Sequence, residues 1–221
     1  MAAVCTLGAL PLKPPEKPSG QNEAVPTAPA QKRPSLRPRQ VLHTGDYWLL
    51  VSAVAAASPT VLLFSPVILP LAQQRGLEHA ALTVVIGSLT SAAGRLLMPW
   101  LSDRIGRRRT ALILFAALAV FSVVFAFARG WWVAVLYAAL TFCYSGQAAL
   151  LPAFAADRFG PQNTGVNYGL LALGMSAGSL VVPPLARLLQ GESAPHWIAA
   201  AAAAAGFVCL WFYGKSQAPK S

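Results

Sequence analysis

From residue 46 onward the chain is a succession of apolar stretches, each about twenty residues long, separated by short polar or charged turns. The stretches fall near 47–72, 80–101, 110–129, 131–155, 165–189 and 195–213. At 1.5 Å per residue, about twenty residues cross the roughly 30 Å of bilayer hydrocarbon as a helix. Inside hydrocarbon only helices and closed barrels satisfy their own backbone, and the short alternating segments of barrel strands are missing. The pattern predicts an all-α, polytopic membrane domain of six transmembrane helices over residues 46–213.

The preceding residues behave differently. Residues 13–39 hold seven of the eighteen prolines and show no hydrophobic periodicity. Such a segment buries too little apolar surface to offset its ordering entropy, so residues 13–45 are expected to form a disordered, basic, Pro-rich cytoplasmic linker. Residues 1–12 are apolar but reach only some 18 Å as a helix, too short to span. No basic stretch precedes them and no A-x-A cleavage pattern follows, so they do not fit a secretory signal. They read as the end of a helix whose beginning is absent. Residues 214–221 are expected to form a cytoplasmic tail.

Composition adds direction to this picture. Apolar residues make up 56% of the 221 positions and charged residues 11%, yet Lys and Arg (17) outnumber Asp and Glu (7). Placed on the six spans, Lys13, Lys17, Lys32, Arg33, Arg37, Arg39, Arg104, Arg107, Arg108, Arg109, Arg158, Lys215 and Lys220 fall on one side. Arg75, Arg129 and Arg187 fall on the other. Thirteen against three orients both termini toward the cytoplasm of a bacterial-type inner (plasma) membrane. The excess positive charge is thereby accounted for without nucleic acid, for which no binding fold is present. The histidines, His43, His79 and His196, lie outside the spans or at their edges, and no paired carboxylates occur within them, so an enzyme is not indicated. Cys5, Cys143 and Cys209 show no metal-ligand spacing, and no metal or cofactor is expected.

The turn between the second and third spans reads Leu-Ser-Asp-Arg-Ile-Gly-Arg-Arg-Arg (101–109), and it must reverse two helices within a few residues. Gly106 adopts positive φ cheaply, and Asp103 can pair with a neighbouring arginine or face a helix N-terminus. This stretch resembles the signature loop of the major facilitator superfamily, which joins the second and third helices of a six-helix half. Pro99 stands where that motif opens with glycine. The resemblance implies a gating loop of Asp103, Arg104, Gly106, Arg107 and Arg108, in which the aspartate holds helix ends together and releases them during alternating access. The other reading is a positive-inside turn with a satisfied Asp103, and it is favoured for Arg107, Arg108 and Arg109. A second element, Ala-Asp-Arg-Phe-Gly at 156–160, echoes Ser-Asp-Arg-Ile-Gly at 102–106 between the fourth and fifth spans.

Arg95 is the basic residue out of place, about six residues or 9 Å inside the second span. A guanidinium there costs roughly 2.5–3.5 kcal/mol on the lenient insertion scale and stays charged. It belongs to a stripe with Gly87, Ser88, Ser91, Gly94 and Met98, opposite Leu82, Ile86, Leu89, Ala93 and Trp100, which points it into the bundle. One reading is an arginine reaching the headgroups or Asp103. The other is recognition of a carboxylate by its planar donor fork. Gly94-Arg95 followed by the basic loop resembles the corresponding helix of the oxalate/formate antiporter and monocarboxylate transporter group, as does the stretch 150–185. That resemblance implies a substrate carboxylate at Arg95. The oxalate exchangers carry a lysine in the fifth helix at a place that falls on or beside Met175 here, and no lysine occurs between 165 and 190, so a monocarboxylate is expected rather than a dicarboxylate.

Polar content separates the spans further. The fourth carries Tyr137, Thr141, Tyr144, Ser145 and Gln147, and the fifth carries Asn167, Tyr168, Ser176 and Ser179. The third holds only Ser122 between Ala111 and Ala128, and the sixth is an alanine run from Ala199 to Ala205. The substrate-binding set is accordingly Arg95, Ser91, Tyr144, Gln147 and Tyr168, with packing between helices as the equal alternative for the tyrosines. Gly174 and Gly178 fit close helix packing. The chain is expected to be the C-terminal half of a twelve-helix transporter of small organic anions, with a proton as one candidate coupling ion. An N-terminal half or a second copy would be its partner. The alternative is a non-transporting membrane scaffold, regulatory subunit or inactive fragment.

Overall fold

The computed structural model describes residues 36–188 and 194–216. The apolar segment 1–12 and most of the expected linker lie outside the described residues, as do the last five residues of the tail. The described residues form helices α1 (Pro38–Leu42), α2 (Gly45–Leu62), α3 (Ile68–Gln74), α4 (Ala81–Ile105) and α5 (Arg107–Ala126). After these come α6 (Trp131–Phe159), α7 (Thr164–Leu188) and α8 (Ala194–Ser216). No strand occurs among them.

Five of the six expected spans correspond to single long helices, α4 to α8. The first is in two pieces. Pro59 is accommodated inside α2, but the helix stops at Leu62. Pro66 lacks an amide hydrogen and disfavours helical backbone at Ser65, so the chain bends over residues 63–67 before α3 resumes. The bend buries Phe64 at 1% exposure. Among the described residues, four helical segments are long and apolar enough to cross a membrane: Ala81–Ile105, Arg107–Ala126, Trp131–Phe159 and Pro195–Tyr213. Residues 36–42 also differ from the disordered segment expected there. Leu36 donates its amide to the Phe159 carbonyl, Asn163 Nδ2 donates to the Leu36 carbonyl, and Val41 is fully buried. A short apolar pair, Leu36 and Val41, suffices to dock this piece on the turn between α6 and α7.

The centre of the bundle is α6, the longest helix. It packs most extensively on α4 and also against α5 and α7, while α2 packs on α7 and α8, and α5 on α8. Close approach is set by small residues. A Cβ at Gly94 would overlap the Phe142 carbonyl of α6, and one at Gly146 would overlap Met98 of α4. Gly174 and Gly178 of α7 bring its backbone against Val51, Ala55 and Ser58 of α2, the role expected of them. The alanine run of α8 is a packing surface as well as a lipid-facing one, with Ala199 and Ala203 at 0% exposure and Gly206 against Phe115.

Arg75 fastens the end of the bundle away from the arginine-rich turn. Its Nη1 donates to the Phe125 carbonyl at 2.6 Å, its own carbonyl accepts from Gly130 at 2.9 Å, and its Nη2 lies 3.3 Å from His196 Nε2. An arginine only donates, so Nε2 is the acceptor and the imidazole proton sits on Nδ1. Phe64 and Phe125 flank that ring at 4.9 and 5.6 Å. The α3 end, the α5–α6 turn and the start of α8 are thereby joined through one side chain.

Candidate functional site

Of the polar residues expected on a transport path, several serve packing. Tyr137 is 6% exposed and lies against Gly87 of α4. Thr90 meets Thr141 at 3.1 Å, and Ser91 meets Ser145 at 2.5 Å. Ser91 is therefore engaged in an α4–α6 hydrogen bond of the kind that averages about 0.6 kcal/mol in membrane bundles. Gly87, Gly94 and Met98 face α6 as the stripe implied, but Ser88 and Arg95 do not follow them inward. Both are exposed on an adjoining line of α4, seven residues apart and so nearly eclipsed. The correction is about 100° of helix rotation, one residue beyond Gly94.

Gly94 packs on Phe142 and Gly146, so Arg95, one residue on, lies beside the segment of α6 that bears Tyr144. Tyr144 and Gln147 line a narrow cleft with Val54 and Ala57 of α2 and Met175 of α7. The cleft holds about 10 Å³, space for one water at most. Gln147 is 6% exposed and its Oε1 has no hydrogen-bond partner among the described residues. Such a group is costly to leave unsatisfied in an apolar setting. Tyr168 stands on α7 seven residues before Met175, hence on the same face, two turns nearer the arginine-rich end, and it is 37% exposed. The structure thus brings Arg95, Tyr144, Gln147 and Met175 to one region. Ser91 lies in the adjoining interface, and Tyr168 lies along the same helix face.

At the arginine-rich end the two matching turns are built alike. Gly106 (φ 101°) and Gly160 (φ 88°) terminate α4 and α6 in the left-handed region that favours glycine. Each donates its amide to the first residue of its motif, Ser102 at 2.9 Å and Ala156 at 3.1 Å. Arg107 links them, with Nη2 3.3 Å from Asp103 and Nε 2.9 Å from Asp157. Arg108 reaches across to the last turns of α8, donating to the Trp211 carbonyl at 3.0 Å, where cationic donors satisfy unpaired carbonyls. Arg104 stacks on Trp100, 4.1 Å from the ring centroid.

Asp46 joins this end as well, although nothing in its local sequence singles it out. It is 5% exposed in the first turn of α2, where the helix dipole favours negative charge, and it pairs with Arg158 of the second turn. The signal was available: the chain has three aspartates, Asp46, Asp103 and Asp157, and all three meet arginines at this one end. No group of His, Cys, Asp and Glu with metal-binding geometry occurs among the described residues.

Known proteins place this architecture. A 142-residue stretch is 28% identical to the MFS-type transporter YhjX of Escherichia coli (strain K12), covering 61% of this chain and 35% of that protein. A 147-residue stretch is 29% identical to the oxalate:formate antiporter of Oxalobacter formigenes, covering 64% of this chain and 35% of that protein. The chain thus matches about a third of the length of these relatives. Residues 1–128 and 50–221 each match the sequence pattern of the Major Facilitator Superfamily. With its long apolar helices, the paired Asp-Arg-x-Gly turns and a family match running the length of the sequence, this integral membrane chain belongs to the Major Facilitator Superfamily.

Proposed function

We propose that this chain forms one six-helix half of a transporter for small organic anions of the monocarboxylate type, working by alternating access against a second half. The observation that carries this reading is Arg95. A permanently charged guanidinium stands within an apolar helix, exposed one residue beyond the packed Gly94 edge, near the α6 segment that carries Tyr144 and the buried Gln147 Oε1. A carboxylate would offset the cost of placing that charge there, through charge-assisted hydrogen bonds. Tyr144 and Gln147 would orient it, and Tyr168 would meet it along α7. The likeness to an antiporter named for oxalate and formate favours the same ligand class. Met175, an apolar side chain in the same cleft, favours one carboxylate over two.

The cleft is too small for a substrate by itself, so the exposed face of α4 and α7 needs an opposing surface to enclose one. An N-terminal half or a second copy of the chain supplies it in this reading, with both termini cytoplasmic in a bacterial-type inner membrane. The Asp103–Arg107–Asp157 bridge then acts as the cytoplasmic gate. The same small cleft also fits a non-transporting scaffold, and one experiment separates the two. Labelled formate is followed into proteoliposomes containing the protein or its Arg95→Ala variant. Loss of a charge-assisted hydrogen bond of about 1.5–3 kcal/mol lowers uptake more than tenfold. Equal uptake by both proteins removes Arg95 from the mechanism, and no uptake by either, with or without a co-expressed partner half, leaves the scaffold reading.

A further inference from the structure

Helices α4 and α5 are consecutive and antiparallel, joined at Gly106, yet each packs on α6 more than on the other. Between them runs a groove of about 410 Å³ whose exposed lining is apolar. Leu101 and Ile105 form one wall, Ile113, Ala117 and Phe121 the other, and Phe142 of α6 lies in the floor. It opens beside Ile113 of α5, which is 59% exposed. From Thr110 at the turn to Phe121 the groove follows eleven residues of helix, about 16 Å. That is close to half of a roughly 30 Å hydrocarbon core, so the groove has the length of one leaflet and begins at the arginine-rich turn.

Charge at the mouth selects the occupant. Arg109 precedes Ile113 by four residues on the stripe that lines the groove. It is exposed and has no ion-pair or hydrogen-bond partner among the described residues. Arg104, in the last turn of α4 next to the wall residue Ile105, is stacked on Trp100 rather than paired with a carboxylate. The nearest acid in the turn, Asp103, is engaged by Arg107. Arg109 therefore stands exposed and without an ion-pair partner among the described residues at the end of an apolar slot about one leaflet long, with Arg104 close by in the same turn.

We propose that this groove is a binding site for one anionic phospholipid, with an acyl chain lying between α4 and α5 against Phe142 and the phosphate held by Arg109 and Arg104. A zwitterionic lipid offers the same chain, but its own cation faces the arginines. The site is independent of the carboxylate path, since none of its lining residues belongs to that region.

The test is native mass spectrometry of the full chain released from nanodiscs of mixed phosphatidylglycerol and phosphatidylcholine. The expected result is preferential retention of one phosphatidylglycerol. A single basic residue near an anionic surface contributes enough that Arg109→Gln should lower that retention about fivefold, whereas Arg109→Lys preserves it. Ala117→Phe, which fills the slot, should remove both lipids, and its helical content and thermal midpoint are compared with the parent protein. Should Ala117→Phe fail to fold, the Arg109 pair of variants decides alone. No preference for phosphatidylglycerol, or a preference unmoved by Arg109→Gln, overturns the proposal. So does efficient disulfide formation between two copies through Ile113→Cys, which would identify a second chain as the occupant.

Discussion

Asp46 and Arg107 belong to the same charged end of the bundle but sit in different surroundings, and this decides what each contributes. Asp46 is 6% exposed at its side chain and its partner Arg158 is 38% exposed, whereas Arg107 bridges carboxylates that are 64% and 53% exposed. Breaking an ion pair open to solvent costs under about 1 kcal/mol, while weakening the charge-assisted bond of a buried group costs about 1–3 kcal/mol, less the share that solvent at half-exposed Arg158 recovers. Asp46→Asn is therefore expected to lower the thermal unfolding midpoint in detergent clearly. Arg107→Gln should leave that midpoint almost unchanged while altering transport rate. Equal midpoint shifts for the two variants contradict this assignment. Met175 carries the second prediction at this scale. Met175→Lys places a second cation beside Tyr144 and Gln147, and labelled oxalate should then compete with formate uptake severalfold better than in the parent protein. Unchanged competition detaches Met175 from selectivity.

At the scale of elements, the pairing of α4 with α6 rests on backbone contact. Gly94 leaves no space for a methyl group against the Phe142 carbonyl, and a carbonyl in a helix cannot rotate away as a side chain can. Gly94→Ala is expected to destabilise by about 1–3 kcal/mol, as overpacking does. Gly165→Ala, with nothing within 4 Å of the added carbon, should be neutral or better, because glycine in a helix costs about 0.5–1 kcal/mol relative to alanine. The thermal midpoints of the two variants check both statements. The small residues themselves were visible in the sequence. Which neighbour each one meets was not, because helical spacing gives a face and not its partner. The stripe of Gly87, Gly94 and Met98 was legible, but Arg95 lies one residue beyond the packed edge, and periodicity does not mark where a packed face ends. The broken first span had its signal in Pro66, whereas its continuation as α3 depends on Arg75 tying that end to Phe125 and His196.

Across the whole molecule, the two ends carry different chemistry. Arg104, Arg107, Arg108, Arg109 and Arg158 lie at one end, and Arg75 with His196 at the other. If the first end is cytoplasmic, a cysteine at exposed Ile105 in a cysteine-free background reacts only with reagent on the inner side. One at exposed Trp132 reacts only from outside, and labelling with the reverse sidedness overturns the orientation. The all-helical class, the approximate limits of the long helices and the matched Asp-Arg-x-Gly turns were determined by the sequence alone, because hydrophobic length and turn chemistry are local properties of consecutive residues. Only the tertiary structure decided that Arg107 joins Asp103 to Asp157, that Asp46 holds Arg158, and that Tyr144, Gln147 and Met175 share a cleft. Each of these joins helices far apart in sequence, and their side chains meet only when packing of small residues on α6 and α2 sets rotation and depth.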